Sequence, residues 1–460
     1  MGFGAVIEKG PMDWQILQQV QGKADVRLSG GWSFGERIDT PKVYARIVDE
    51  NTGESVVPWQ PAEDTGGDRW EITIKDVPAG GLYRIETCLD QSSGKVLEWA
   101  IRGDMIHHVG IGDVYVITGQ SNSAGYGKDP VYDPPEIGVH LLKNNGKWDL
   151  ASHPMNESTG TLHEENREAG NPGHSPYLSF AKYLKRELAY PIGLIQASLG
   201  GSPLSAWNPE ENGILYRCMM NIIASQGGRI KGVLWYQGCS DTSKDLSETY
   251  PDRFKSMVAH LRKDLKEDSL PILTVQLNRY VAPSNETADR CWGMIREVQR
   301  QAWKRIPGVF VIPSTDSTLS DAIHISSVSN MVLGERLART ALKNVYGRKV
   351  RCDAPDLIQA QKSGADTVTL TFNNIYDRLY TFEIDAGNLP FLVEDEIGMI
   401  KIKSYELKAD SIILTLDREP EGKCQVHGAW EQNPKGIIPI DAVSHLPMLS
   451  FFGVEIQEKT

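Results

Sequence analysis

Apolar runs at Asp113 to Thr118, Ile192 to Ala197, Gly232 to Gln237, Ile272 to Leu277 and Val309 to Pro313 dominate the middle of the chain. Nearly continuous Val, Ile and Leu suits strands covered on both faces. Amphipathic stretches at about 175–189, 213–226, 248–267, 289–305 and 326–346 separate or follow these runs. In the last of them Leu333, Leu337 and Ala341 recur every four residues, and Ser326 is placed to cap the start. Strand and helix in alternation predict right-handed βαβ crossovers and an open parallel sheet. Such sheets bind ligands beyond the carboxyl ends of their strands, so the residues just after each run are where chemistry is to be sought.

On either side the period changes from helical to two. Ala24 to Leu28, Val43 to Val48 and Trp70 to Ile74 alternate between turn-rich segments, as do Thr367 to Phe372, Met399 to Ile402 and Ser411 to Leu416. The expected division is an N-terminal β-sandwich over 1–106, an α/β region over 107–348 and a β-rich region over 349–460. A length of 460 residues leaves room for all three.

Composition removes several classes of function. Sixty Asp and Glu against 48 Lys and Arg leave a net charge of -12, which repels a phosphate backbone, so nucleic acid is not an expected partner. No apolar run is long enough to cross a bilayer, and the opening MGFGAVIEKGPMDW has neither a basic nor an apolar leader segment; a cytoplasmic protein is the expectation. Six scattered cysteines without a CxxC pair predict free thiols rather than a disulfide framework or a zinc site.

Past the first apolar run stands Gly119-Gln120-Ser121-Asn122, where a glycine turn would expose the Ser121 hydroxyl as a candidate nucleophile. Past the second comes Leu199-Gly200-Gly201-Ser202, whose side-chain-free pair lets backbone N–H groups approach a developing oxyanion. Past the third, Trp235-Tyr236-Gln237-Gly238 brings an amide donor. After the fifth, Asp321-Ala322-Ile323-His324 places a carboxylate within one turn of an imidazole, able to hold Nδ1–H and leave Nε2 free to take a proton. Each segment alone is an ordinary loop, but four of them at one sheet edge compose an acyl-transfer site.

Other patterns are set aside. Gly31-Trp32-Ser33-Phe34-Gly35 has the GxSxG spacing of a nucleophile elbow, yet the next residues read as a strand rather than a helix. His107-His108 and His163-Glu164-Glu165 lack partners at metal-ligand spacing, and no metal or cofactor is expected. Cys239 is read as a small semi-buried residue.

These blocks, with Trp207 after the glycine pair and Gly334-Glu335-Arg336 after His324, resemble the sialate O-acetylesterase family of carbohydrate esterases, within the wider SGNH (GDSL-like) hydrolases. The resemblance is strong over about 107–348 and looser over the flanks, including Gly10 to Gln15 and Leu446 to Phe451. It implies an SGNH-type parallel sheet flanked by helices. It also implies Ser121 as nucleophile, His324 as base, Asp321 as its orienting carboxylate, and an oxyanion hole from the Ser121 and Gly201 N–H groups and the Gln237 amide. Gln120, Asn122, Trp207 and Trp235 become the expected sugar contacts. Relatives usually carry a glutamate where this chain has Cys239, which leaves a second carboxylate and the substrate preference open. The implied substrate is a small acetylated sugar or oligosaccharide. A sialic acid would want an arginine such as Arg167 or Arg279 near the cleft, whereas acetylated xylan or another neutral glycan would not. A reading from another class is a carbohydrate-binding protein that keeps the esterase fold without turnover.

Overall fold

The computed structural model describes residues 3–34, 41–91, 97–383 and 388–458. The apolar runs form a parallel sheet in the spatial order Val139–Leu142, Ile192–Gln196, Ile101–Gly119, Gly232–Tyr236, Ile272–Val275 and Val309–Ile312, with Trp148–Leu150 antiparallel at one edge. Val139–Leu142 does not stand out in the sequence, because four residues including His140 are too short a run to show a period. Helices Tyr177–Leu188, Ile214–Ser225, Lys244–Leu265, Glu286–Arg305 and Ser327–Asn344 accompany the strands, and the Ser326 side chain caps the last by accepting from Ser329 N.

The first apolar run is the end of one 19-residue strand, Ile101–Gly119. Its opening half pairs antiparallel with Gly80–Asp90, and its closing half is the centre of the parallel sheet. The division expected at 106/107 thus falls inside a continuous strand. Lys42–Asp49 and Ser55–Pro61 extend the N-terminal end of this sheet, while Gly4–Lys9, Lys23–Ser33 and Arg69–Pro78 form a second sheet. Alternate side chains such as Val26, Leu28, Ile47, Ile74 and Ile85 are buried together between the two. The C-terminal region is made of antiparallel sheets with a core of its own that includes Leu370, Val393, Leu414 and Phe451.

Polar side chains fasten this C-terminal region to the parallel sheet. Gln276 exchanges two hydrogen bonds with the Ser450 backbone, accepting from its N–H at 2.9 Å and donating to its carbonyl at 2.8 Å. The fully buried Arg296 donates to the carbonyls of Leu277 and Asn278 on one side and of Ala429, Trp430 and Glu431 on the other. A guanidinium spreads its donors in a fixed fork, so one side chain can satisfy carbonyls from two segments.

Histidines at both seams make the assembly sensitive to acid. His140 donates Nδ1–H to Trp14 O at 2.6 Å while its Nε2 is buried with no partner among the described residues, and burial pushes its pKa down to about 4. His427 accepts at Nδ1 from Gly453 N and faces Glu394 with Nε2; burial lowers it, too, to about 4. In the unfolded chain both titrate near 6.5. The unfolded state therefore takes up protons first on acidification. The stability contributed by the neutral folded rings is complete above about pH 6.5 and is lost as the pH falls through about 4. Urea unfolding midpoints should accordingly fall between pH 7 and pH 4; midpoints that stay level across this window would contradict the assignment.

Candidate active site

The long strand ends at Gly119, with φ of 115°, and a Cβ there would stand 2.3 Å from the Tyr236 carbonyl oxygen. Only glycine lets the chain pass this close. The backbone then turns into a single helical turn, Ser121–Ala124, with Gln120 N donating to Tyr236 O at 2.9 Å. The strands on either side are Ile192–Gln196 and Gly232–Tyr236, so the chain leaves this edge in opposite directions next to Ser121, as at a topological switch point.

Loops after both neighbours are pinned to the turn. Leu199 N donates to Gly119 O at 3.0 Å, Ser202 Oγ to Leu199 O at 2.8 Å and Trp207 Nε1 to Ser202 Oγ at 3.0 Å. Gln120 Oε1 accepts from Gly238 N at 3.0 Å and Ser240 N at 3.3 Å, and Ser240 Oγ donates to Gly201 O at 3.1 Å. Gln120 is thus a buried tie between loops.

The fourth segment arrives through Asn122. Its Oδ1 accepts from Ile325 N at 2.9 Å and its Nδ2 donates to Ile323 O at 3.2 Å, so the residue after Ser121 grips both neighbours of His324. Asn278 adds a second donor to Ile323 O at 2.7 Å and accepts from Tyr236 Oη at 2.8 Å. His324 Nδ1 lies 2.6 Å from Asp321 Oδ2, while the Ile323 and His324 N–H groups both donate to Asp321 Oδ1 at 2.8 Å. Partial burial works to raise the Asp321 carboxyl, but these hydrogen bonds outweigh it and hold the group below its ordinary value. A carboxylate acceptor places the hydrogen on Nδ1 and leaves the Nε2 lone pair free. Among the described residues, neither Ser121 Oγ nor His324 Nε2 has a hydrogen-bond partner, nor do the Ser121 and Gly201 backbone N–H groups.

Other expected contacts are placed differently. Gln237 is fully buried, its Nε2 donating to Asp241 Oδ2 at 2.6 Å and Ser202 O at 3.3 Å and its Oε1 accepting from Tyr250 Oη at 2.9 Å. Both amide hydrogens are therefore engaged within the protein. Trp207 and Trp235 are 1% and 2% exposed and pack edge to face at 5.6 Å, so neither offers a ring to a sugar; their apolar bulk is used in the core. Burial pushes the Cys239 thiol up to about 12, which leaves it neutral and unreactive. Arg167 is ion-paired with Glu164 at the surface, whereas Arg279 directly follows Asn278 and donates to Ser317 O at 3.2 Å. Of the GxSxG match, Ser33 closes the strand Lys23–Ser33 and the next described element is the strand Lys42–Asp49; Gly35 lies outside the described residues.

Two groups of side chains have the composition of metal ligands. Asp133 Oδ2 lies 3.3 Å from His153 Nε2 and 3.1 Å from His174 Nε2, with Lys182 Nζ 2.7 Å from the other oxygen. His153 Nδ1 accepts from Ser175 N, which puts the ring hydrogen on Nε2, towards the carboxylate. Hydrogen bonds and a lysine charge thus engage the atoms that face one another in this cluster, while His174 Nδ1 is buried with no partner among the described residues. Spacing alone gave His163 and Glu165 no partner, but Cys218 joins them from the helix Ile214–Ser225. Burial holds that thiol up at about 11.

Tyr126 and Glu168 also belong to the site, although no spacing points to them. The Tyr126 ring stacks on His324 at 4.7 Å and 23°, and its hydroxyl donates to Glu168 Oε1 at 2.7 Å. Glu168 Oε2 accepts from Gly200 N at 2.9 Å and Asn156 Nδ2 at 3.1 Å.

Comparison with known proteins gives first a class, the carboxylic ester hydrolases that act on carbohydrates. The sequence model of the carbohydrate esterases described as sialic acid-specific acetylesterases matches residues 111–343, and the chain belongs to this family. A probable carbohydrate esterase of Arabidopsis thaliana is 30% identical over 255 residues, 50% of this chain and 90% of that protein. Human sialate O-acetylesterase is 23% identical over 289 residues, covering 52% of this chain and 50% of the human protein, so the match spans about half of that relative's length. In structure, a carbohydrate acetylesterase from Xanthomonas citri superposes with a TM-score of 0.68 at 20% identity, over 96% of this chain and 97% of that one; this likeness concerns the fold.

Asn122→Ala removes the clamp on Ile323 and Ile325 and leaves the Ile325 N–H unpaired, while Ile323 O keeps its bond from Asn278. Stability should fall by about 1–3 kcal/mol, and p-nitrophenyl acetate hydrolysis by roughly 10²-fold as His324 loses its register. Thermal melting and initial rates measure the two effects; a melting loss at wild-type rate would make the clamp purely structural.

Proposed function

We propose that the chain is a serine esterase of the SGNH type that removes O-acetyl groups from a carbohydrate through an acetyl-enzyme. The observation that carries this reading is the pair of hydrogen bonds in which Asn122 donates to Ile323 O and accepts from Ile325 N, joining the Ser121 turn to the His324 segment. Ser121 Oγ attacks the acetyl carbonyl while His324 Nε2 takes its proton, and Asp321 stabilises the imidazolium through Nδ1–H. Charge on the tetrahedral oxygen falls to the Ser121 and Gly201 N–H groups, with Gln237 acting by holding the Ser202 and Asp241 segments in place. His324 returns the proton to the departing sugar hydroxyl, then activates a water that releases acetate. Hydrogen bonds in such sites often tighten only once substrate is bound, which suits a Ser121 and a His324 both open to a ligand. In this reading the 107–348 region is the catalytic unit and the β regions frame it.

Ser121→Ala should remove nearly all p-nitrophenyl acetate hydrolysis, and a fluorophosphonate should label the wild type at residue 121. Wild-type turnover in the variant would end the proposal. A folded protein that neither labels nor hydrolyses would be the non-catalytic sugar binder.

For the substrate, Arg279 favours an acetylated sugar acid. It stands at the carboxyl edge of the sheet beside Asn278, and its Nε is buried with no described partner. Arg279→Met should raise KM for an O-acetylated sialic acid about tenfold, the loss expected for one charged hydrogen bond, while leaving p-nitrophenyl acetate unaffected. Acetate release measured across acetylated sialic acids, xylan oligomers and rhamnogalacturonan fragments tests this. Faster release from the neutral glycans, with no effect of Arg279→Met, would favour the neutral-glycan alternative.

A further inference from the structure

Asp321 fixes the Nδ1 edge of His324, but its carboxylate is half exposed and lies on the same short loop as the ring it holds. One bond at one edge leaves the imidazole free to tilt about the line joining the two groups. The face of the ring is set from elsewhere. Tyr126 stacks on it, and the Tyr126 segment is itself anchored by Gly127 N donating to His174 O at 3.1 Å and His174 N donating to Gly127 O at 2.9 Å. The phenol then passes its hydrogen bond to Glu168 Oε1, and the other oxygen of the same carboxylate takes the N–H of Gly200.

Resting on the serine-esterase reading, we propose that Tyr126 and Glu168 are positioning residues that lock the general base and the oxyanion loop into one frame. A carboxylate bridging two donors at fixed distance transmits the placement of one to the other, because neither can shift without stretching a bond. Burial and Glu168 together hold the phenol well above its ordinary range, so it stays a hydrogen-bond donor. The glycine at position 200 makes the approach possible: a Cβ there would meet Glu168 Oε1 at 2.7 Å. Gly200 N–H is committed to Glu168 and Gly201 O accepts from Ser240 Oγ, so the peptides on both sides of the 200–201 peptide are held, and its N–H at Gly201 is the one with no described partner. Asn156 supplies a third donor and keeps the carboxylate from rotating away. Glu168 need not touch the substrate in this role. What it sets is the distance between the atom that removes the proton and the atoms that receive the oxyanion.

The test uses kinetics on p-nitrophenyl acetate with the full chain. Glu168→Ala should lower kcat by about 10–100-fold with KM held within about twofold, since misplacement acts on the transition state and not on binding. Glu168→Gln should recover most of that loss, because an amide can accept from Gly200 and Asn156 with its oxygen and donate to the Tyr126 hydroxyl with its nitrogen. Tyr126→Phe added to Glu168→Ala should cost nothing further, as both cut the same chain. Wild-type kcat in Glu168→Ala, a loss carried by KM, or equal losses in the Ala and Gln variants would overturn the proposal. If Glu168→Ala does not fold, Tyr126→Phe alone decides: it keeps the ring, loses the bond, and should lower kcat about threefold or more at constant KM. Fluorophosphonate labelling of the wild type separates the two layers. An unlabelled Ser121 sinks the serine mechanism, whereas a labelled Ser121 with an indifferent Glu168 sinks only the frame.

Discussion

One strand, Ile101–Gly119, belongs to two environments at once, and the rest of the molecule is built around it. Its first half is held in antiparallel register by Gly80–Asp90 and its second half in parallel register by Ile192–Gln196 and Gly232–Tyr236. A slip of one residue would turn every buried side chain of the strand to the opposite face, so partners along its whole length jointly forbid it. Ser121 stands two residues beyond the end of this strand and inherits its position. The N-terminal β region therefore bears on the site mechanically, although none of its residues has been placed there.

The loops at the rim are joined largely by side-chain amides. Gln120, Asn122, Gln276 and Asn278 each bind backbone groups of another segment. An amide offers donor and acceptor on one planar group and carries no charge, so it can bridge an N–H on one loop and a C=O on another without the desolvation cost of an ion. Through Gln276 and Arg296 the C-terminal region is tied to the 276–278 segment, one bond away from Ile323. The N-terminal flank thus holds the strand leading to Ser121, and the C-terminal flank holds the segment that bonds Ile323.

What can be read from the amino acids alone follows the range of each interaction. The βαβ alternation is legible because apolar period is a local property, and Asp321 with His324 is legible because the contact closes within one turn. The Val139–Leu142 strand escapes because its burial is imposed by neighbours rather than announced by its own length. Gln237 shows the reverse difficulty: the residue type is plain, but the direction of its amide depends on Asp241 and Tyr250, and nothing in a loop sequence says that a carboxylate four residues on will claim the donor. Trp207 and Trp235 have ring faces that suit a sugar and bulk that suits a core, and packing chose the second. Tyr126 and Glu168 meet His324 and Gly200 through tertiary contacts such as the backbone pairing of Gly127 with His174 and the bonds of Asp129 to Ser320 and Ser327, none of which has a period or a motif.

The carboxylates around the site are each engaged by several donors. Asp241 is fully buried and accepts from Gln237, from Leu204 N and from Arg253, so its charge is met by a guanidinium from the helix Lys244–Leu265. Glu168 lies on the other side, its oxygens occupied by Tyr126, Asn156 and Gly200. Donors crowded on a carboxylate diffuse its negative charge, which matters in the proposed mechanism, where a bare carboxylate beside Gly200 would oppose an oxyanion forming at the Gly201 N–H. A fully hydrogen-bonded one can fix the geometry of the loop while opposing that charge less.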